Sequence, residues 1–353
     1  MTKTKALAIM MMSALLLASC GSSASSSEND TKDSSSDQTT DSIVVTLPPD
    51  SSEGDESQES AVHDESVQCT PLMWRMTNDE GHSVTFMGSM HALDPEILPL
   101  PDNIYDVLYS SDVLAVECDI AAYNNDLTKQ LELFNSVQYE DGDSLKNHLS
   151  ESTCKALEGF FADSGMNYFD GLATYKPWYI ESLCENLVIG EAGLNAMSGV
   201  DVTLLNSAKE KGIDVYEVES IEFQMDMLKN MPDEIMDIEL SSYSKENKEA
   251  LVTQMRDLYD IWRGGDLELT EEYLLSADEE LLGELDEKTQ ELLDQYNKTM
   301  LTDRNIGMAD AAEKLLKEHE NTFYVVGLAH FIGDDGVIAL LKDRGYEVEL
   351  VSE

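Results

Sequence analysis

The chain reads FMGSMH at residues 86–91 and VVGLAH at residues 325–330. Each phrase is a short apolar run, then Gly, two residues and His. Together they hold two of the six histidines in 353 residues. An imidazole exchanges a proton near neutral pH and is the commonest metal ligand. A glycine lets the backbone turn tightly as a strand ends, so the histidine that follows projects over the sheet rim. Glu117 ends a third apolar run, VLAVECD at 113–119, and Glu219 ends DVYEVES at 214–220. A carboxylate at the end of a run as apolar as the first is costly to bury without a partner. One Gly-x-x-His occurs by chance; two, each after an apolar run, make His91 and His330 candidates for one site. His63, His82, His148 and His319 lie in a polar tract, a turn and polar helix faces, and read as solvated.

The elements that must position these residues read as α/β. LMWRMT and SVTFMG flank turn residues Asn78, Asp79 and Gly81, which predicts a β-hairpin. The run at 113–119 is apolar on both parities, the mark of a strand buried on both faces. Pro101 to Tyr109 reads as a helix, and residues 126–198 as several, one opened by Pro177 near its first turn. GVDVTLLNSAKEKG predicts a helix with Asp201 as N-cap and Gly212 as its stop. Residues 232–300 are acidic with helical spacing, which predicts a helical lobe that is polar outside. Then follow the amphipathic RNIGMADAAEKLLKEH, the buried strand TFYVVG, a helix in DDGVIALLKDRG capped by Asp334 or Asp335 and ended by Gly345, and a last strand, YEVELV. The expected fold is a mixed α/β sheet core built from two related strand–Gly-x-x-His–helix–strand units, with a helical insertion. In open α/β sheets ligands bind beyond the carboxyl ends of the strands. His91, His330, Glu117 and Glu219 all fall there, and they converge if their strands are parallel neighbours. Arg304 and Asn305 open a helix, where an arginine on pattern alone faces solvent; Asp201 reads equally as a cap or a ligand-binding group.

The N-terminal residues belong to another class. Lys3 and Lys5 precede a short apolar run that stops at Cys20, the form of a secretory signal. Leu17-Ala18-Ser19-Cys20 looks like a bacterial lipobox, which predicts cleavage after residue 19 and a lipid on Cys20. Residues 20–67 are then a Ser- and Asp-rich disordered tether, and residues 68–353 the folded domain. The protein is expected at the extracytoplasmic face of the cell membrane, lipid-anchored. A net charge of −49 argues against nucleic-acid binding. Cys69, Cys118, Cys154 and Cys184 form no Cys-x-x-Cys pair, so a zinc–cysteine site is not expected, and free buried thiols are at least as consistent as disulfides.

From LMWRMT to EVELV the chain resembles the TraB/PrgY/GumN family, whose homology domain is shared by Tiki proteases. The resemblance rests on Trp74-Arg75; Gly88-Ser89-Met90-His91-Ala92-Leu93; Leu98-Pro99-Leu100-Pro101; Ser111-Asp112-Val113-Leu114 running to Glu117; Tyr175-Lys176-Pro177-Trp178; Gly199-Val200-Asp201; Glu219; Arg304-Asn305 with Met308; and Gly327-x-x-His330 leading to Gly333, Gly336 and Gly345-Tyr346. It implies an active-site set of His91, His330, Glu117 and Arg304, with Asp201, Glu219 and Asn305 in support. Two neutral imidazoles and a carboxylate would make a metal site with an open position for water, suited to zinc, manganese or cobalt. Arg304 would then face a developing oxyanion. The substrate implied is a peptide or a small amide or ester. Two other readings stay open: metal-free general-base hydrolysis, and ligand sequestration without catalysis, as in pheromone shutdown.

Overall fold

The computed structural model describes residues 69–140, 142–275 and 286–351. The expected signal, Cys20 and the expected tether lie outside the described residues. Six strands form one sheet: β1 (Met73–Thr77), β2 (Ser83–Ser89), β3 (Val113–Val116), β4 (Asp214–Glu217), β5 (Asn321–Gly327) and β6 (Val348–Leu350), in the order β4-β3-β5-β2-β1-β6. Strands β4, β3, β5 and β2 are parallel neighbours; β1 runs antiparallel to β2 and β6. The hairpin forms as expected. The Asn78 side chain accepts from the backbone N–H of Glu80 and His82, and Gly81 sits at φ +88°. All residues of β2 and β3 are buried, as strands covered on both faces must be. The two Gly-x-x-His strands, β2 and β5, pair directly, Ser89 opposite Gly327. That pairing joins an early and a late part of the described residues.

Several local expectations are corrected. Gly88 does not turn the chain: it is still in β2, and a Cβ there would stand 2.5 Å from Leu328 Cδ1. Its lack of a side chain lets the segment after β5 pack against β2. Asp201 is not a cap. Gly199 caps the Val200–Lys211 helix, and Asp201 is buried in its first turn; Gly212 ends it in the left-handed conformation. The Val337–Asp343 helix is capped by Gly336, not by Asp334 or Asp335. The helices of 232–275 are less separate than a lobe: Trp262, on the Lys248–Gly264 helix, is buried and donates to Gly88 O at 2.9 Å. His82 and His148 are not simply solvated either, since His82 Nδ1 lies 3.2 Å from Leu316 O and His148 pairs with Asp143 and Asp233. The four cysteines beyond Cys20 are buried free thiols. Among the described residues no helix is long and apolar enough to cross a membrane.

The helical part buries acid. Glu181 and Glu185, one turn apart on the Pro177–Glu191 helix, and Glu239 on the Asp233–Ser241 helix are all buried. Burial pushes the Glu181 carboxyl from 4.5 up to about 8. The folded protein therefore keeps a proton that the unfolded chain releases near pH 4.5. This contribution is whole below that pH and is lost as pH rises toward about 8, by up to ~1.4 kcal/mol per pH unit. Glu181→Gln should flatten the fall of Tm over this window and raise Tm at about pH 8 relative to the wild type. Parallel Tm–pH curves for the two proteins would show that Glu181 does not carry the proton.

Candidate functional site

Each site residue sits at or just beyond the carboxyl end of a parallel strand, or on a helix packed over that rim. His91 follows β2. Val200 N donates to Met90 O at 3.0 Å, which holds the His91 loop against the first turn of the Val200–Lys211 helix. There Asp201 Oδ2 lies 2.7 Å from His91 Nδ1, both side chains buried. Burial disfavours a charged His91, but Asp201, and Glu117 beyond it, outweigh that cost and raise its pKa.

His330 lies in the short turn after β5. Its Nδ1 is 2.6 Å from Asn305 Oδ1, and Asn305 Nδ2 donates to Asp335 O at 2.9 Å. Because the amide nitrogen is used there, Asn305 offers its oxygen to the ring. The His330 proton is thereby assigned to Nδ1, and the lone pair to Nε2. Nε2 is buried and has no hydrogen-bond partner among the described residues. Burial, and then the Arg304 charge, lower the His330 pKa to about 3, so the ring is neutral at neutral pH.

Glu117, just past β3, is pinned from both oxygens. Oε1 accepts from Gly327 N at 2.7 Å; Oε2 accepts from Arg304 Nη2 at 2.7 Å and from Gln224 Nε2 at 2.9 Å. Burial alone would raise its pKa, but Arg304 first, then the two imidazoles and the Gly327 N–H, bring it down to about 2. Arg304 is buried and grips Glu219 through Nε at 2.7 Å and Nη2 at 2.6 Å, while Nη1 donates to Met300 O at 3.0 Å. The solvent-facing reading of Arg304 is thus corrected: its helix, Asp303–Glu318, turns it inward on the stripe that also buries Met308, Ala311 and Leu315.

The centre of the arrangement can be located. A Cβ on Gly327 would stand 3.2 Å from Glu117 Oε1, 3.6 Å from His330 Cδ2 and 3.8 Å from His91 Nε2. His330 Nε2 itself lies 3.8 Å from Glu117 Oε1. The space is there because residue 327 has no side chain. His91, Glu117, His330, Arg304, Asp201, Glu219 and Asn305 all meet in this one network. Sequence reasoning missed Gln224, whose amide bridges Glu117 and Glu219 and accepts from the Cys118 thiol. The signal was faint: Gln224 lies on the stripe that buries Ile221, Met225 and Leu228. Among the described residues no three His, Cys, Asp or Glu side chains stand in coordination geometry.

The model of the TraB/PrgY/gumN family matches residues 72–350. The chain is 28% identical over 148 residues to the uncharacterized protein YbaP of Escherichia coli (strain K12), covering 42% of this chain and 52% of that protein. It is similar to the same extent to YbaP of Shigella flexneri. The chain thus spans about half the length of the curated relatives it matches. No solved structure matches it.

Proposed function

We propose, from the premise that the chain belongs to the TraB/PrgY/gumN family, that this site hydrolyses a peptide or a similar amide or ester, with water as the nucleophile. The observation that carries the reading is the convergence of two imidazoles and a carboxylate on the space at Gly327, each ring anchored through its other nitrogen by Asp201 or Asn305. Such outer partners fix tautomer and ring orientation. Two features support a divalent cation there: His330 Nε2 is a buried lone pair without a hydrogen-bond partner, and the space at Gly327 is what a single Cβ would fill; two imidazoles with one carboxylate are a donor set that zinc, manganese or cobalt takes. His91, Glu117 and His330 would hold it, and it would supply an acidified water and a Lewis acid for the carbonyl. Arg304 has its nitrogens engaged by Glu117, Glu219 and Met300 O, so it positions Glu117 rather than facing a reacting oxygen. Glu219 and Gln224 in turn hold that clamp.

A second, metal-free reading is favoured by one observation: both Glu117 oxygens already accept hydrogen bonds. In it, neutral His330, held at Nδ1 by Asn305, takes a proton from water through Nε2, and His91, protonated on both ring nitrogens beside Asp201, gives its Nε2 proton to the leaving amine or alcohol. Water's oxygen bonds to the carbonyl carbon as the amide or ester bond breaks.

Metal analysis paired with cleavage of a peptide library decides between them. Turnover that is lost on chelation and restored by the metal supports the first reading. Turnover that survives chelation but not His330→Ala supports the second. Peptide binding without cleavage by the metal-replete protein would replace both with sequestration. Gly327→Ala is a sharp probe of either hydrolytic reading, because its methyl enters the centre of the site while residue 327, at φ −50°, tolerates a side chain. Turnover should fall at least ~100-fold, on the scale of losing a positioned acid–base group. Retention of wild-type turnover would move the reaction elsewhere.

We also propose that a lipid on Cys20 tethers the protein to the extracytoplasmic face of the membrane, the preceding apolar run being the motive. Clickable palmitate should label the wild type and leave Cys20→Ala unlabelled; equal labelling of both removes the anchor.

A further inference from the structure

A cavity of about 670 Å³ adjoins the site. The two share a wall. Asn305, which orients His330, lines the cavity and is itself buried; Ala329, the residue before His330, lines it too. The cavity's size is that of a pocket for a small ligand. Its character is mixed. Leu275, Leu301 and Ile332 supply apolar surface, while Asp294, Asp334 and Asp335 are exposed carboxylates on its lining. The lining lysine, Lys298, is paired with Asp303, so its charge is spent outside this trio. Among the described residues neither Asp334 nor Asp335 has an ion pair or a side-chain hydrogen bond. The lining is thus complementary to a ligand that is both aliphatic and positively charged.

We propose that this cavity is a substrate subsite, and that it takes an aliphatic side chain flanked by an ammonium group. The assignment rests on the hydrolytic reading of the neighbouring site and adds the substrate's chemistry to it. A peptide seated there touches Asn305, whose Oδ1 holds His330 Nδ1, and Ala329, the residue before His330. The ammonium can be a free amino terminus or a lysine side chain; the lining recognises what the two have in common. Desolvated leucine- or valine-like groups would supply most of the affinity, and the aspartates the discrimination between charged and uncharged peptides.

The test uses three synthetic peptides built on one shared Leu- and Val-rich hexapeptide sequence. The first has a free amino terminus, the second an acetylated terminus, and the third an acetylated terminus and one added lysine. Binding to the full chain is measured by calorimetry, and cleavage separately by mass spectrometry. The free-terminus or the lysine peptide, or both, should bind more tightly than the acetylated one. Whichever is preferred names the source of the charge. Asp334→Asn combined with Asp335→Asn should weaken that peptide by about fivefold while leaving the acetylated peptide unchanged. The double change Glu151→Gln with Glu158→Gln, at exposed positions of another helix, controls for the general acidity of the surface and should change neither. Charge-selective binding that is lost in the aspartate variant supports the subsite even if nothing is cleaved, in which case only the hydrolytic reading falls. Equal affinity for all three peptides, or equal weakening by both double variants, overturns the subsite even if the peptides are cleaved.

Discussion

Arg304→Met should cost about 3–5 kcal/mol of stability at neutral pH, the scale for removing one partner of a buried ion pair. Arg304 lies between Glu117 and Glu219, and all three side chains are less than a tenth exposed. Without the guanidinium two carboxylates remain buried and close, with Gln224 as the only neutral donor that bridges them among the described residues. The pH dependence identifies the cause. In the wild type Glu117 sits at about 2 instead of 4.5, with Arg304 the largest influence opposing burial. That contribution is present above pH 4.5 and is lost as pH falls toward about 2. In the variant burial is unopposed by Arg304, so stability is regained as Glu117 protonates. The difference between the two proteins should therefore shrink as pH falls from about 7 to about 4. Urea unfolding across that range reads it directly. Adding Glu117→Gln and Glu219→Gln to Arg304→Met should recover much of the loss at neutral pH. A neutral-pH deficit below about 1 kcal/mol would mean that the triad is not what holds Glu117 in place.

His330→Ala should have the larger effect on activity, a loss of about 10²–10⁴ in turnover, on the scale of a positioned acid–base group. Its neutral Nε2 is the lone pair that both hydrolytic readings use, as ligand or as base. The stability effect should be smaller, ~1–3 kcal/mol, because Asn305 Oδ1 loses its donor in a buried setting. Kinetics and unfolding on the same preparation separate the two. Free imidazole added to the variant should restore part of the turnover, which a merely misfolded protein would not allow. A variant that keeps half of wild-type turnover would exclude His330 from the reaction.

The sheet was legible because its strands obey simple rules. VLAVECD is apolar on both parities and is buried on both faces; Asn78 and Gly81 mark the hairpin turn. The convergence of His91 and His330 followed from one further condition, that β2 and β5 be parallel neighbours, and they are. What stayed hidden depended on direction rather than type. An aspartate in a first helical turn serves equally as cap or contact, and only the fold turns Asp201 toward His91. Arg304 was read outward because arginines on amphipathic helices usually point to water, although Met308, Ala311 and Leu315 mark its side of the helix as buried. Gln224 carries no charge and belongs to no recurring spacing, so its bridge between two acids was out of reach. The glycines of the two phrases were expected to turn the chain; instead Gly88 makes room for Leu328 and Gly327 makes room at the centre of the site.

The central claim is that His91 and His330 turn their Nε2 atoms toward one shared space. Long-range ¹H–¹⁵N NMR of the imidazole rings reads it most directly, since it reports which ring nitrogen carries the proton. Both rings should be Nδ1-protonated, held so by Asp201 and Asn305, and one equivalent of Zn²⁺ should shift both Nε2 resonances together. Protons found on Nε2 in both rings, or a Zn²⁺ response confined to His82, His148 or His319, would contradict it.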